Sequence, residues 1–522
     1  MSILLWTLSL LVGAVLLAAL ARRINVPSPS LFALGGVIVA LLPNSPRIAL
    51  EPDLALALFV APVLMDAAFD NSLRNLRDNW IPVASLVFMA VAVTTTAVAV
   101  VAHWLIPAMP WAVAIALGAA VAPPDAAAAT AVLKEVRLPR RLVLILEDES
   151  LLNDASALLI YRLAVGAAIA NAGNSIGVVS SLAFVLIGSV VVGVLYALVF
   201  GDIVRRFSHV PSSIVMQFMG TFGIWILADR LALSGVLVIV TAAVVLSRRS
   251  SPSMPAAVRV PSYAVWDAAV FVLNALAFIL IGLQLGPIMD RLSRAHHVHY
   301  AVFAAAIVVT VIVARAAWVT TYNLALRIVN RVLGRRTPQS LAPPPAKATV
   351  LVAWCGMRGI VTLAAALALP DGSGVLPAFP YRDLIVLTAF AVVLGTLVIQ
   401  GFTLRMLLTT LQLDDDGAPV EDEIRAARVE MLRATLASVD SREGDAAEAV
   451  RREYADLLKH VDGELSDEQR QAEAALRAAA RVAARAKLVA LRASGAVGEA
   501  VFLQLEAELD LYELETDMRS RW

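Results

Sequence analysis

The feature that most limits how this chain can fold is the recurrence of apolar runs near or above ~18 residues, the length that crosses a bilayer core. We place thirteen such spans, at about 3–20, 28–43, 53–70, 81–106, 111–133, 141–170, 176–200, 211–229, 234–247, 263–286, 299–324, 348–369 and 384–409. In lipid, every backbone polar group must be satisfied within the structure, so runs of this kind become helices. The expectation is an all-α polytopic membrane protein. Composition agrees, since 60% of the 522 residues are hydrophobic, against roughly 45–50% in soluble domains. No cleavable signal is read, because Ser2 to Leu20 is long enough to span and lacks a basic leader.

A formal net charge of zero hides a division along the chain. From Leu413 to Trp522 there are about 25 acidic and about 15 basic residues. This segment is rich in Ala, Glu, Arg and Leu, so it is helical by propensity and too polar to span. We therefore expect a transmembrane domain over 1–412 and an acidic, helical, cytoplasmic domain over 413–522, whose partner the sequence does not identify. Alternate loops differ in basic charge. One set holds Arg22-Arg23, Lys134 to Arg141, Arg205-Arg206, Arg248-Arg249 and Arg327 through Lys347, whereas the other holds little beyond isolated arginines such as Arg230 and Arg291. The basic set should be cytoplasmic. That places the N-terminus outside and the C-terminus inside a cell membrane.

Two spans are broken at their centres. The fifth is interrupted by Ala122-Pro123-Pro124-Asp125, and the twelfth by Gly356-Met357-Arg358-Gly359. Consecutive prolines remove backbone donors and clash with the preceding turn. Irregular backbone at that depth is tolerated only where it packs in protein or lines a cavity. The breaks lie seven spans apart, so the two helices run in opposite directions, as an inverted repeat of spans 1–6 and 8–13 requires. Paired interruptions of this kind point to a transporter binding site.

The sixth span supplies the chemistry, in the run Glu147-Asp148-Glu149-Ser150-Leu151-Leu152-Asn153-Asp154. Asp154 falls near the middle of its span. A carboxylate there costs ~2.5–3.5 kcal/mol even on mild insertion scales, which makes it a functional residue by default. Ser150 and Asp154 are four apart and share a helix face. A carboxylate, a hydroxyl and loose backbone carbonyls form an all-oxygen site, which suits a hard cation. One acid that alternates between a proton and a small cation is the minimum device for exchange. Other buried charges need partners: a Glu149–Arg358 bridge and an Asp125–Arg315 bridge are expected. Asp66 lies near the cytoplasmic end of the third span, and Arg162 and Asp267 read as structural or interfacial charges. The six histidines show no zinc spacing, and Cys355 is the only cysteine, so neither a transition-metal site nor a disulfide framework is expected. No nucleophile–base pair marks an enzyme, and no repeated filter motif marks a channel. No cofactor and no nucleic-acid partner are expected.

Three stretches carry a family resemblance. LEDESLLNDASALLIYRLAV, GMRGIVTLAAALALP and APPDAAAATAVLKE resemble the corresponding motifs of monovalent cation:proton antiporter family 1, which includes bacterial Na+/H+ antiporters and animal sodium/hydrogen exchangers. The similarity covers about residues 1–410. It implies a homodimer of protomers, each with a mobile six-helix core in which spans 5 and 12 cross, acting in pH regulation. It also implies that Asp154 carries the ion, that Ser150 and Asp66 assist, and that Glu149 and Arg358 are the core glutamate and arginine. Asn153 stands where electrogenic relatives carry a second aspartate, which implies electroneutral one-for-one exchange of Na+ (or Li+) for H+. Pro124 replaces a family threonine, Asp148 replaces a glycine, and Asp66 is shorter than the family glutamate. Exchange of K+, alone or with Na+, is the alternative these departures leave open.

Overall fold

The structure, a computed structural model, describes residues 2–43, 51–69, 73–125, 140–170, 175–207, 209–250, 255–291, 297–333, 344–372, 377–411, 417–440, 442–461, 467–494 and short stretches between 501 and 511. Ala126, the loop from Lys134 to 139, most of the 327–347 loop after 333, and the acidic run Asp414–Asp416 lie outside these residues. The chain divides into two compact units, Met1–Asp414 and Asp415–Trp522.

The first unit is helical throughout its described regular structure. Its helices are α1 (Ser2–Ile24), α2 (Ser28–Ala40), α3 (Pro52–Phe69), α4 (Trp80–Leu105), α5 (Trp111–Val121), α6 (Arg140–Ala170), α7 (Ser175–Val204), α8 (Val210–Arg230) and α9 (Gly235–Ser250). They are followed by α10 (Ala256–Leu283), α11 (His297–Leu333), the pair α12a (Ala346–Trp354) and α12b (Ile360–Leu367), and α13 (Arg382–Leu411). Nine helices among the described residues are long and apolar enough to cross a membrane, and α2 and α5 are shorter apolar helices. Apolar side chains face outward along them, for example Leu16, Ile187 and Val313. That pattern is expected where lipid rather than water is the surrounding solvent.

Two bundles result. In one, α2 packs on α10, α7 on α9, and α9 on α3 and α8; in the other, α5 lies against α4 and α6, and α11 against α4 and α13. Apolar burial does not distinguish a helix neighbour from lipid, so small residues decide how closely helices approach. At the α2–α10 contact, a Cβ on Gly36 would strike the Ile279 carbonyl, and one on Gly282 would strike the Ala33 carbonyl. Backbone meets backbone there, which fixes the crossing. Both α3 and α4 carry a π-helical turn, at Leu56–Val60 and Ser85–Ala90, a form found often near functional sites.

The second unit holds α14 (Gly417–Asp440), α15 (Asp445–Val461) and α16 (Asp467–Ala493). Val429, Leu432 and Val461 form a small core of its own between α14 and α15.

Candidate functional site

α5 ends at Val121, and residues 122–125 continue without helical structure. α12a ends at Trp354, and residues 355–359 do the same before α12b begins. The two breaks meet. The Asp125 N–H donates to the Met357 carbonyl at 2.7 Å. Gly359 makes this approach feasible, because a Cβ there would overlap the Asp125 carboxylate.

Each broken helix leaves C-terminal carbonyls without intrahelical donors. An arginine serves each end. Arg358 donates from Nε to the Val121 carbonyl at 3.1 Å and from Nη2 to the Ala122 carbonyl at 3.2 Å, and also contacts the Gly356 carbonyl. Arg315, from α11, donates to the Val352 carbonyl at 3.2 Å and to the Cys355 carbonyl at 3.4 Å. Arg315 also forms a two-pronged pair with Glu149, at 2.5 and 2.9 Å. All three side chains are buried.

The expected pairing is therefore corrected. Glu149 takes Arg315, not Arg358, and Asp125 is not the partner of Arg315. The physical reason is where the guanidinium groups are needed. Arg358 sits inside the break and turns to the exposed carbonyls of α5. Arg315 reaches from a neighbouring helix to the end of α12a, where Glu149 on α6 meets it. A planar fork matched to a carboxylate is the stronger form of such a pair.

α6 carries the remaining site residues. Asn153 is fully buried, and its Nδ2 donates to the Pro124 carbonyl at 2.9 Å. α5 has ended at Val121, so the Pro124 carbonyl lies in irregular backbone, where the Asn153 amide donates to it. The Asn153 Oδ1 has no hydrogen-bond partner among the described residues. Asp154, the next residue, is half-buried and lies within electrostatic reach of Asp125. Ser150, one turn earlier, is also half-buried. Asp148 is buried beside Glu149. Thus Asn153, Pro124, Asp125 and Asp154 come together at the meeting of the breaks. An oxygen-rich, two-carboxylate site of this kind can hold a proton or a small cation. Asp66 is placed elsewhere: it lines a cavity of ≈ 100 Å³ with Gln217, Arg259 and Trp266, whose lining includes neither Asp154 nor Ser150.

Three supporting residues escaped the sequence reading. The Ser156 hydroxyl meets the Val87 carbonyl at 2.7 Å, in the π-helical part of α4. The Tyr161 hydroxyl donates to the Ala365 carbonyl at 2.5 Å, tying α6 to α12b. The Arg358 N–H donates to the Thr396 hydroxyl of α13 at 3.0 Å. The first two lie in the same run as Asp154, which is the signal they offered, whereas Thr396 is one of several threonines in its span and offered none.

Comparison with known proteins gives a consistent picture. Residues 8–410 match the family described as sodium/hydrogen exchanger, transmembrane. An uncharacterised Na+/H+ exchanger of Mycobacterium tuberculosis is 29% identical over 97% of this chain and 95% of its own length. A sodium, potassium, lithium and rubidium/H+ antiporter of Bacillus pumilus is 28% identical over 80% of this chain and 63% of its own length. Among solved structures, the sodium proton antiporter MjNhaP1 of Methanocaldococcus jannaschii shares the fold, with a TM-score of 0.61 and 17% identity over 79% of this chain and 99% of that one. With matched sequence across the whole membrane unit and two broken helices meeting beside Asp154, this multi-pass membrane protein belongs to the sodium/hydrogen exchanger family of monovalent cation:proton antiporters.

Proposed function

We propose that the chain exchanges Na+ or Li+ for H+ by alternating access, with Asp154 as the group that holds cation and proton in turn. The observation that carries this reading is the position of Asp154 at the meeting of the two breaks. Its neighbour Asn153 is anchored to the Pro124 carbonyl, and the Asp125 backbone is anchored to Met357. The acid thus lies beside irregular backbone, the setting in which transporters bind their ions. Ser150 supplies a hydroxyl one turn away.

The stoichiometry we propose is one for one and electroneutral. Asn153 is neutral, so Asp154 exchanges its charge alone provided that Asp125 keeps one charge state through the cycle. Proteoliposomes with fixed ion gradients and an imposed membrane potential test this. A rate independent of voltage is expected, whereas a reversal point that moves with voltage would show that a second acid titrates.

Exchange of K+, alone or with Na+, is the second reading. It draws support from the Bacillus pumilus relative, whose name includes potassium, and from Pro124 at a position where the family resemblance implies threonine. Separate assays with Na+, Li+ and K+ distinguish the two. We further place the N-terminus outside the cell and the acidic unit in the cytoplasm, on the charge of the alternate loops, and read the assembly as a homodimer.

A further inference from the structure

The seam between the two bundles carries two cavities at the end where α3 begins. One, of ≈ 170 Å³, lies between Asp53 on α3, Arg162 on α6, and Trp225 and Asp229 on α8. The other, of ≈ 460 Å³, lies between Asp53, Arg291, Asp371 and Arg382. Asp53 is the wall the two share. Its two arginine neighbours on the Asp154 bundle differ. Arg382 is engaged, donating to the Leu369 carbonyl at 2.8 Å and the Leu367 carbonyl at 3.1 Å. Arg162 is exposed, as are Asp53 and Asp229. Among the described residues none of these three forms an ion pair with another, although they border one cavity.

Arg162 sits in the apolar run LLIYRLAVGAAIA, eight residues beyond Asp154, a rise of about 12 Å along the helix. A charged side chain retained inside a membrane helix marks a pathway or a partner. Here the cation belongs to the bundle that holds the ion site, and the two carboxylates belong to the other bundle. Motion of one bundle against the other must change their separation, and among the described residues no charge of its own bundle forms an ion pair with Arg162.

We propose that Arg162 is a positioning residue of the transport cycle. It pairs with Asp53 and Asp229 when the bundles draw together at this face, and it parts from them when the face opens. The proposal rests on the alternating-access reading above. By closing the face, the pairs bias the protein toward the state open on the opposite side. An exposed ion pair shifts such an equilibrium by roughly 1.5- to 5-fold. A ligand's apparent affinity scales with the fraction of the protein in the competent state, so the bias must act in opposite senses on the two faces.

The test uses the full chain in proteoliposomes of fixed orientation, with Na+ titrated at each face in turn. Arg162→Gln should lower the half-saturating Na+ at the Asp53 face and raise it at the other, each by roughly 2- to 5-fold. Arg162→Lys should stay near the parent, and Arg162→Asp combined with Asp53→Arg should restore the asymmetry that Arg162→Asp alone removes. A structural role would move both faces alike. A shift in the same direction at both faces, no shift, or a swap no better than the single variant overturns the latch while leaving exchange at Asp154 intact. Exchange that persists in Asp154→Asn overturns the ion-site reading instead, and the face asymmetry remains measurable in that protein.

Discussion

The two broken helices solve one problem in two ways. Both α5 and α12a end in the buried interior with carbonyls that need donors, and both receive an arginine. At α12a the cation is itself neutralised, because Arg315 is paired with Glu149 while it serves Val352 and Cys355. At α5, Arg358 meets carbonyl dipoles from Val121 and Ala122 and its own turn. The first end is a closed ion pair between α6, α11 and α12a. The second lies where the acids Asp125 and Asp154 gather. The difference teaches that a buried arginine is positioned by the helix end it must cap, and that its charged partner follows from which neighbouring helix faces that end.

Stability measurements can break or sharpen this contrast. Arg315→Gln should have the largest effect, about 3–5 kcal/mol in denaturant unfolding, because it strands Glu149 without a counter-charge. Arg358→Gln should cost less, about 1–3 kcal/mol, since it frees carbonyls rather than an acid. A double-mutant cycle sharpens the point. Glu149→Gln should couple to Arg315→Gln by more than about 1 kcal/mol and to Arg358→Gln by less than about 0.5 kcal/mol. The reverse order of couplings would mean that the pairing is wrong. Tyr161→Phe, which removes one hydrogen bond between α6 and α12b, should cost about 0.5–1.5 kcal/mol.

Much of this was legible in the sequence. The all-helical membrane fold follows from apolar length, and even the short α2 and α9 were visible, while nine of the described helices are long and apolar enough to cross a membrane against thirteen spans expected. Both breaks were readable because Pro123-Pro124 and Gly356/Gly359 punctuate apolar runs where a helix has no other reason to stop. Asp154 stood out because a mid-span acid is expensive, and the structure sets it near Asp125 and beside Asn153. The pairing of Glu149 was not legible. Arg315 and Arg358 are both single arginines in apolar surroundings, and only the crossing of α11 over the end of α12a selects between them. The use of Asn153 was also hidden: its contact with Pro124 joins residues 29 apart through a carbonyl, which carries no side-chain signature. Asp66 was assigned by resemblance, and the structure sets its side chain on a cavity with Arg259 and Trp266.

The claim on which the rest depends is that Asp154, among the acids near the crossing, is the one that exchanges its proton for a cation. Purified Asp154→Asn protein in proteoliposomes tests it most directly, with unfolding measured alongside to show that the fold survives. An amide cannot take up and release a proton, so proton-coupled Na+ flux should vanish while the unfolding transition stays close to that of the parent. Coupled flux that persists in this well-folded variant would contradict the account and move the ion site to Asp125.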